Sequence, residues 1–219
     1  MAVDPYNPLD KLNLGRSVRE ALLLEPVVPL SQTEGVIGAG VYAIYYSGNF
    51  PCYLPIAHKN RNGEFAQPIY VGKAVPQGAR KGGVTLDAAI GGAMRGRLGT
   101  HRNSINQVSN IHLSDFHFRA LVVDDIWIPL GESMMIARFQ PLWNRVIDGF
   151  GNNKPGARRV NQYRSLWDVL HPGRKSAMGL ADSGITAEGV EQRVAAYFAG
   201  WSVPLVSSEQ ADDSDTTED

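Results

Sequence analysis

Arg97 and His101 stand four residues apart, so on a helix they share one face and could meet a single phosphate together. A guanidinium fork matches phosphate oxygens and suits the clamping of developing negative charge. Arg95 is the competing assignment, and a solvated helix face is the plain alternative; only Arg97 pairs with His101. Glu132 is the only acid between Asp125 and Asp148. Its carboxylate is a hard oxygen donor suited to one Mg2+ that keeps several waters, or else an acid placed in a first helical turn by the macrodipole. Tyr42 and Tyr70 lie in apolar runs. A phenol with an ordinary pKa of about 10 is a poor base at neutral pH unless a neighbour lowers it, and Lys73 or a metal-bound water could do so. On adjacent antiparallel strands the two hydroxyls could converge on one phosphate; otherwise both are ordinary strand aromatics. Asn144, after Pro141, either caps a helical segment or hydrogen-bonds a phosphate or a metal-bound water.

The charge distribution points the same way. The net charge of -1 conceals a segregation, because the thirteen residues from Ser207 to Asp219 carry six acids and no base. The rest of the chain holds 21 bases, of which fourteen fall in two blocks: six with one acid from Lys73 to Arg102, and eight with two acids from Arg138 to Lys175. Two basic blocks in a near-neutral chain suggest a polyanionic partner, against the alternative that they only solvate exposed faces. Arg158, Arg159 and Arg164 follow in a Gly- and Asn-rich stretch, with Asn152, Asn153 and Lys154 beside them. Arginine bidentate to guanine is the commonest base-specific contact, so these six are candidate DNA readers, phosphate contact being the alternative.

Something must position these groups. Gly40–Tyr46 and Pro68–Gly72 are runs of β-branched and aromatic residues that predict two strands, and Phe116–Val123 alternates as a third. The interval between the first two contains Pro51, Pro55, Asn60, Asn62 and Gly63 and is long for a hairpin connection. It predicts a functional insertion whose Lys59 and Arg61 are candidate ligand contacts. Leu86, Ala89, Ile90, Met94 and Leu98 predict a helix to about Ser104, and Gly131–Phe139 predicts another that stops before Pro141. Leu12, Leu14, Val18, Leu22 and Leu23 form an amphipathic helix that ends before Pro26 and docks on the body or on a partner subunit. An aromatic helix surrounds Trp167, and a final one runs to Phe198 with Thr186 as its N-cap.

The order strand, strand, helix, strand, helix carries Gly40-Val41-Tyr42 and Tyr70-Val71-Gly72-Lys73, then Arg97 with His101, Glu132, and Pro141 through Asn144. This combination resembles the GIY-YIG nuclease superfamily over residues 38 to 146. The long interval from Tyr42 to Tyr70 and the Gly- and Arg-rich stretch after Asn144 most resemble its type II restriction endonuclease branch. The resemblance implies an α+β fold, a small three-stranded antiparallel sheet flanked by helices, and hydrolysis of DNA phosphodiesters. It implies Tyr42, Tyr70, Lys73, Arg97, His101, Glu132 and Asn144 as the catalytic set, with Glu132 the ligand of Mg2+, for which Mn2+ can substitute. Tyr42 is the expected base, with His101 relaying or orienting. A GC-rich palindrome, a homodimer that cuts one strand per subunit, and a cognate DNA methyltransferase in a restriction-modification system are further expectations. A structure-specific or repair nuclease is the alternative enzyme, and a non-cleaving DNA-binding protein the alternative of another class.

Composition sets outer bounds. No run of about 18 apolar residues is present, the N-terminus does not read as a signal peptide, and the single Cys52 cannot form an internal bridge. A cytoplasmic, bacterial setting is expected. The predicted organisation is an arm and helix over 1–37, a catalytic core over 38–146 with an insertion at 47–67, a DNA-recognition extension over 147–206, and a disordered acidic tail over 207–219.

Overall fold

All seven residues of β2 (Gly40–Tyr46) are buried, which requires cover on both faces of the sheet. The computed structural model describes residue 7 and residues 10–75, 91–152 and 163–206. Four antiparallel strands run in the order β1 (Val28–Pro29), β4 (Phe116–Val122), β2, β3 (Pro68–Ala74). The fold is α+β, and the sheet has four strands where the sequence predicts three. The added strand is two residues long and pairs Val28 with Phe118 and Pro29 with His117. It lies at the sheet edge, where a proline that cannot donate to a ladder is tolerated.

One sheet face packs into the main core. Tyr42, Ile44 and Tyr46 meet Met94 and Leu98 of α3 (Ala93–Asn106), Phe116, and Trp143 of α5 (Leu142–Arg145). Trp167 and Leu170 of α6 (Leu166–Leu170) and Val190 and Val194 of α7 (Ala187–Phe198) share this core, so the region after residue 146 packs on the same side of the sheet as α3. The predicted start of α3 at Leu86 lies outside the described residues. The opposite face buries Ala43, Tyr45 and Val71 against Leu22 of α1 (Lys11–Leu24) and Met135 of α4 (Ile128–Phe139). α1, capped by Asp10, docks on the body of the chain as one of the two expected alternatives has it, with Val18 against Gly131, the residue before Glu132.

The insertion between β2 and β3 folds as 3-10 turns around α2 (Leu54–Ala57). Buried Asn60 closes its base: its amide nitrogen donates to Tyr46 O at 2.9 Å and Gln67 O at 2.8 Å, and its carbonyl accepts from Gln67 N at 2.9 Å. The final helix begins as predicted, with the Thr186 hydroxyl accepting from Gly189 N.

Candidate active site

Register and the two-residue period of the sheet assemble the first part of the site. Tyr42 pairs with Gly72 and Ile44 with Tyr70 across β2 and β3, so Tyr42 and Tyr70 lie diagonally on one face. Their ring centroids are 6.3 Å apart. The missing side chain at Gly72 admits the Tyr42 ring, because a Cβ there would stand 2.6 Å from Tyr42 Cζ. α3 brings His101 over both tyrosines, with centroids 5.6 Å from Tyr42 and 5.0 Å from Tyr70. The Tyr42 hydroxyl and His101 Nε2 are 2.8 Å apart in a fully buried hydrogen bond.

The electrostatics of this pair follow from its dryness. Burial pushes the Tyr42 hydroxyl well above its ordinary value, and Tyr70 adds to the push. Among the cations Arg97 opposes it most strongly, by its charge and by a hydrogen bond to the Tyr42 hydroxyl. A phenol oxygen that accepts from Arg97 can direct its own proton to His101 Nε2 when the imidazole carries its proton at Nδ1. Burial holds His101 well below the ordinary histidine range, and the charges of Arg97 and Arg174 act in the same direction. The ring is therefore neutral and able to accept. Arg97 is the half-buried member of its helix and Arg95 the exposed one, so the face shared with His101 is the one that reaches the tyrosines.

Lys73 points to the other side of β3 and pairs with Glu132 at 3.1 Å, both side chains being largely covered. Lys73 is thus the partner of the carboxylate, and Arg97 takes the place beside Tyr42 for which Lys73 was the sequence-based candidate. Glu132 still acts on the Tyr42 hydroxyl, raising its pKa further, which puts the carboxylate within electrostatic reach of the tyrosine. α4 starts at Ile128, so Glu132 lies beyond the first turn and the macrodipole does not account for it.

Among the described residues no group of three or more His, Cys, Asp or Glu side chains could hold a metal ion. The residue whose chemistry suits a hard cation here is Glu132, which would hold Mg2+ as a single carboxylate while the ion kept several waters.

The Asn144 side chain bonds the sheet and does not cap a helical segment. Its Oδ1 accepts from Val71 N and its Nδ2 donates to Val71 O, both at 2.8 Å. The amide mimics a neighbouring strand and holds the peptide between Tyr70 and Gly72.

Four of the candidate DNA-binding residues, Lys59, Arg61, Asn152 and Arg164, are among the described residues. Lys59 is exposed. Arg61 is engaged at the base of the insertion, donating to Gly48 O at 2.8 Å, Asn49 Oδ1 at 2.7 Å and Ser47 O at 3.3 Å. The Asn152 carbonyl accepts from Arg174 Nη1 at 3.2 Å, and the Arg164 backbone bonds Ala181 O. Asn153, Lys154, Arg158 and Arg159 lie outside the described residues.

Four residues escaped the sequence reading. Phe150 lies parallel to His101, with centroids 4.4 Å apart and planes 15° apart. Trp143 packs on Phe150 and donates from Nε1 to the Tyr53 hydroxyl at 3.0 Å, and that hydroxyl meets His171 Nε2 at 2.7 Å. Trp143 lay within a quoted motif. Tyr53 and His171, 118 positions apart, carried no local signal.

A search of curated proteins finds no match to the chain. A family model described as the Eco29kI GIY-YIG domain matches residues 34–198, which is more than half of the chain and includes every catalytic candidate named above. The strand pair that carries both tyrosines, the helix that carries arginine and histidine, and the later helix with its single carboxylate all fall inside that match, and the chain belongs to this family of type II restriction endonucleases with a GIY-YIG domain.

Proposed function

We propose that this protein is a Mg2+-dependent, site-specific double-strand DNA endonuclease that acts as a homodimer on a GC-rich palindrome. Mn2+ substitutes for Mg2+, the setting is the bacterial cytoplasm, and a cognate methyltransferase protects the host DNA. The observation that carries the reading is the buried hydrogen bond from Tyr42 to a neutral His101, with Arg97 on the same hydroxyl. A binder has no use for a dry phenol and imidazole pair placed to move a proton.

Tyr42 takes a proton from the attacking water as its own proton passes to His101 Nε2, so the phenol stays neutral throughout and its high pKa is no obstacle. The water oxygen bonds to phosphorus, one ester oxygen leaves and takes a proton from solvent, and His101 returns its added proton through Tyr42 to solvent, which restores the neutral pair. Arg97 compensates the charge that gathers on the phosphate oxygens. Lys73 orients the Glu132 carboxylate. Mg2+ held through Glu132 would supply positive charge at the phosphate and lower the pKa of its bound water. Support for a palindrome is the need for one cut per strand from one site per chain, and support for guanine is the arginine content of residues 158 to 164.

The test is incubation of the purified protein with a sequenced plasmid, with Mg2+ and with chelator, and mapping of every end. Discrete metal-dependent ends at one palindrome are expected. Ends scattered without sequence preference, or tight specific binding with no cut in any unmodified duplex, would overturn the reading.

A further inference from the structure

Among the described residues His101 has one polar anchor. Nε2 meets the Tyr42 hydroxyl, and among the described residues Nδ1 has no hydrogen-bond partner. A proton-accepting histidine is commonly oriented by a second hydrogen bond at its far nitrogen, so here packing must do what that bond does elsewhere. The packing is specific. Phe150 covers the imidazole face in parallel, and the backbone of Gly151 lies against the Nδ1 edge, where a Cβ would stand 2.5 Å from Nδ1. Gly151 also has φ +73°, a conformation that suits glycine. Phe150 is 4% exposed and is pressed by Trp143, Tyr70 and Trp167, with centroids at 4.3, 5.2 and 5.5 Å.

That wall has its own foundation. Trp143 is tied to Tyr53 from the insertion, Tyr53 to His171, and His171 Nδ1 lies 2.9 Å from Asn110 Oδ1. Tyr53 and His171 are fully buried. Two segments that carry none of the motif residues therefore meet behind the ring that faces Tyr42.

We propose that Phe150, seated by Trp143 and followed by Gly151, is a positioning residue for His101: it fixes the imidazole plane so that Nε2 faces the Tyr42 hydroxyl, and it keeps water from Nδ1. The role rests on the proton path proposed above, and its test reads the ring as well as the cut. Among the described residues the titratable and charged groups around His101 are Tyr42 from β2, Tyr70 from β3, Arg97 from α3 and Arg174 after α6. Neither arginine favours a charged imidazole, so removing the phenyl shield changes hydration above all.

The experiment uses full-length protein with isotope-labelled histidine, followed by NMR from pH 8 to pH 5, with His101→Gln identifying the His101 signal. Wild type is expected to keep His101 neutral throughout. Phe150→Ala admits water, so the ring titrates nearer its ordinary value and the acidic limb of cleavage moves up by about one pH unit or more. Phe150→Leu keeps an apolar cover without a flat face. It is expected to leave the limb in place and slow cleavage about tenfold, through orientation alone. If Phe150→Ala does not fold, Phe150→Leu decides, and wild-type cleavage by it overturns the proposal. An unshifted His101 signal in folded Phe150→Ala overturns it too. A wild-type protein that cuts no DNA would sink the proposed function, while the NMR titration would still report on the wall.

Discussion

Gly72 and the Tyr42 hydroxyl occupy one space: the position that a side chain at 72 would fill is taken by the phenol of the neighbouring strand. Gly72→Ala must displace either the strand or the ring, and β3 is held from outside by Asn144. The ring therefore moves and the bond to His101 is lost. Overpacking of this kind costs about 1–3 kcal/mol of stability, and we expect single-turnover cleavage to fall at least about a hundredfold. A folded Gly72→Ala protein with wild-type cleavage would contradict the tight fit.

Tyr42→Phe removes only the hydroxyl. DNA affinity should be unchanged and cleavage should drop by about 10² to 10⁴. The two are separated by fluorescence anisotropy with labelled duplex and by single-turnover kinetics.

Glu132→Gln keeps the shape of the side chain and removes its charge, which removes both the partner of Lys73 and the hard donor. The expected result is bound DNA, no cut, and loss of the Mg2+-dependent enhancement of binding. Cleavage at the wild-type rate at any Mg2+ concentration would exclude Glu132 as the metal ligand.

Asp168 and Arg174 form an ion pair at 2.5 Å with both side chains almost fully covered. Asp168→Asn leaves the arginine charge buried without compensation, a change that typically costs about 3–5 kcal/mol. Chemical denaturation should show that loss. Because Arg174 also bonds Asn152 O, increased proteolysis near residue 152 is expected with it.

Burial holds His171 down at about 3, whereas in the unfolded chain it has its ordinary value of about 6.5. The unfolded state then binds the proton that the folded state refuses. Stability is complete above about pH 6.5 and is lost as the pH falls toward the folded value, by about 1.4 kcal/mol per pH unit. Urea titrations at pH 7.5 and pH 5 should differ by about 2 kcal/mol on this account, and His171→Gln should reduce the difference by the same amount. His101, also held low by burial, adds to the slope with the same sign.

What was legible in the sequence and what was not divides along physical lines. β2, β3 and β4 showed themselves because β-branched and aromatic runs mark a strand whatever lies across from it, and α4 because Pro141 dictates its end. β1 was hidden, since two residues have no period. In the site, Arg97 and His101 could be paired from their spacing alone, because a helix converts spacing into direction. Lys73 could not be given its partner in this way, because alternation sends it to the face opposite Tyr70 and only the docking of α4 shows what waits there. Arg61 read as a candidate ligand contact, and no local signal marked its acceptors, which are backbone carbonyls and an asparagine that the insertion itself brings round. Phe150 read as one aromatic in a glycine-rich loop, and its role depends on a stack with a helix some fifty positions earlier.

The Asn144 amide has one more consequence. β3 is an outer strand of the sheet, and the peptide groups on the outer edge of such a strand are an open invitation to a further strand from another molecule. At Val71 that invitation is already answered from within the chain. A second copy that tried to lengthen the sheet from this side would first have to evict a side chain that makes two hydrogen bonds. In the homodimer proposed above, the two subunits would therefore not pair their sheets through the backbone of Val71.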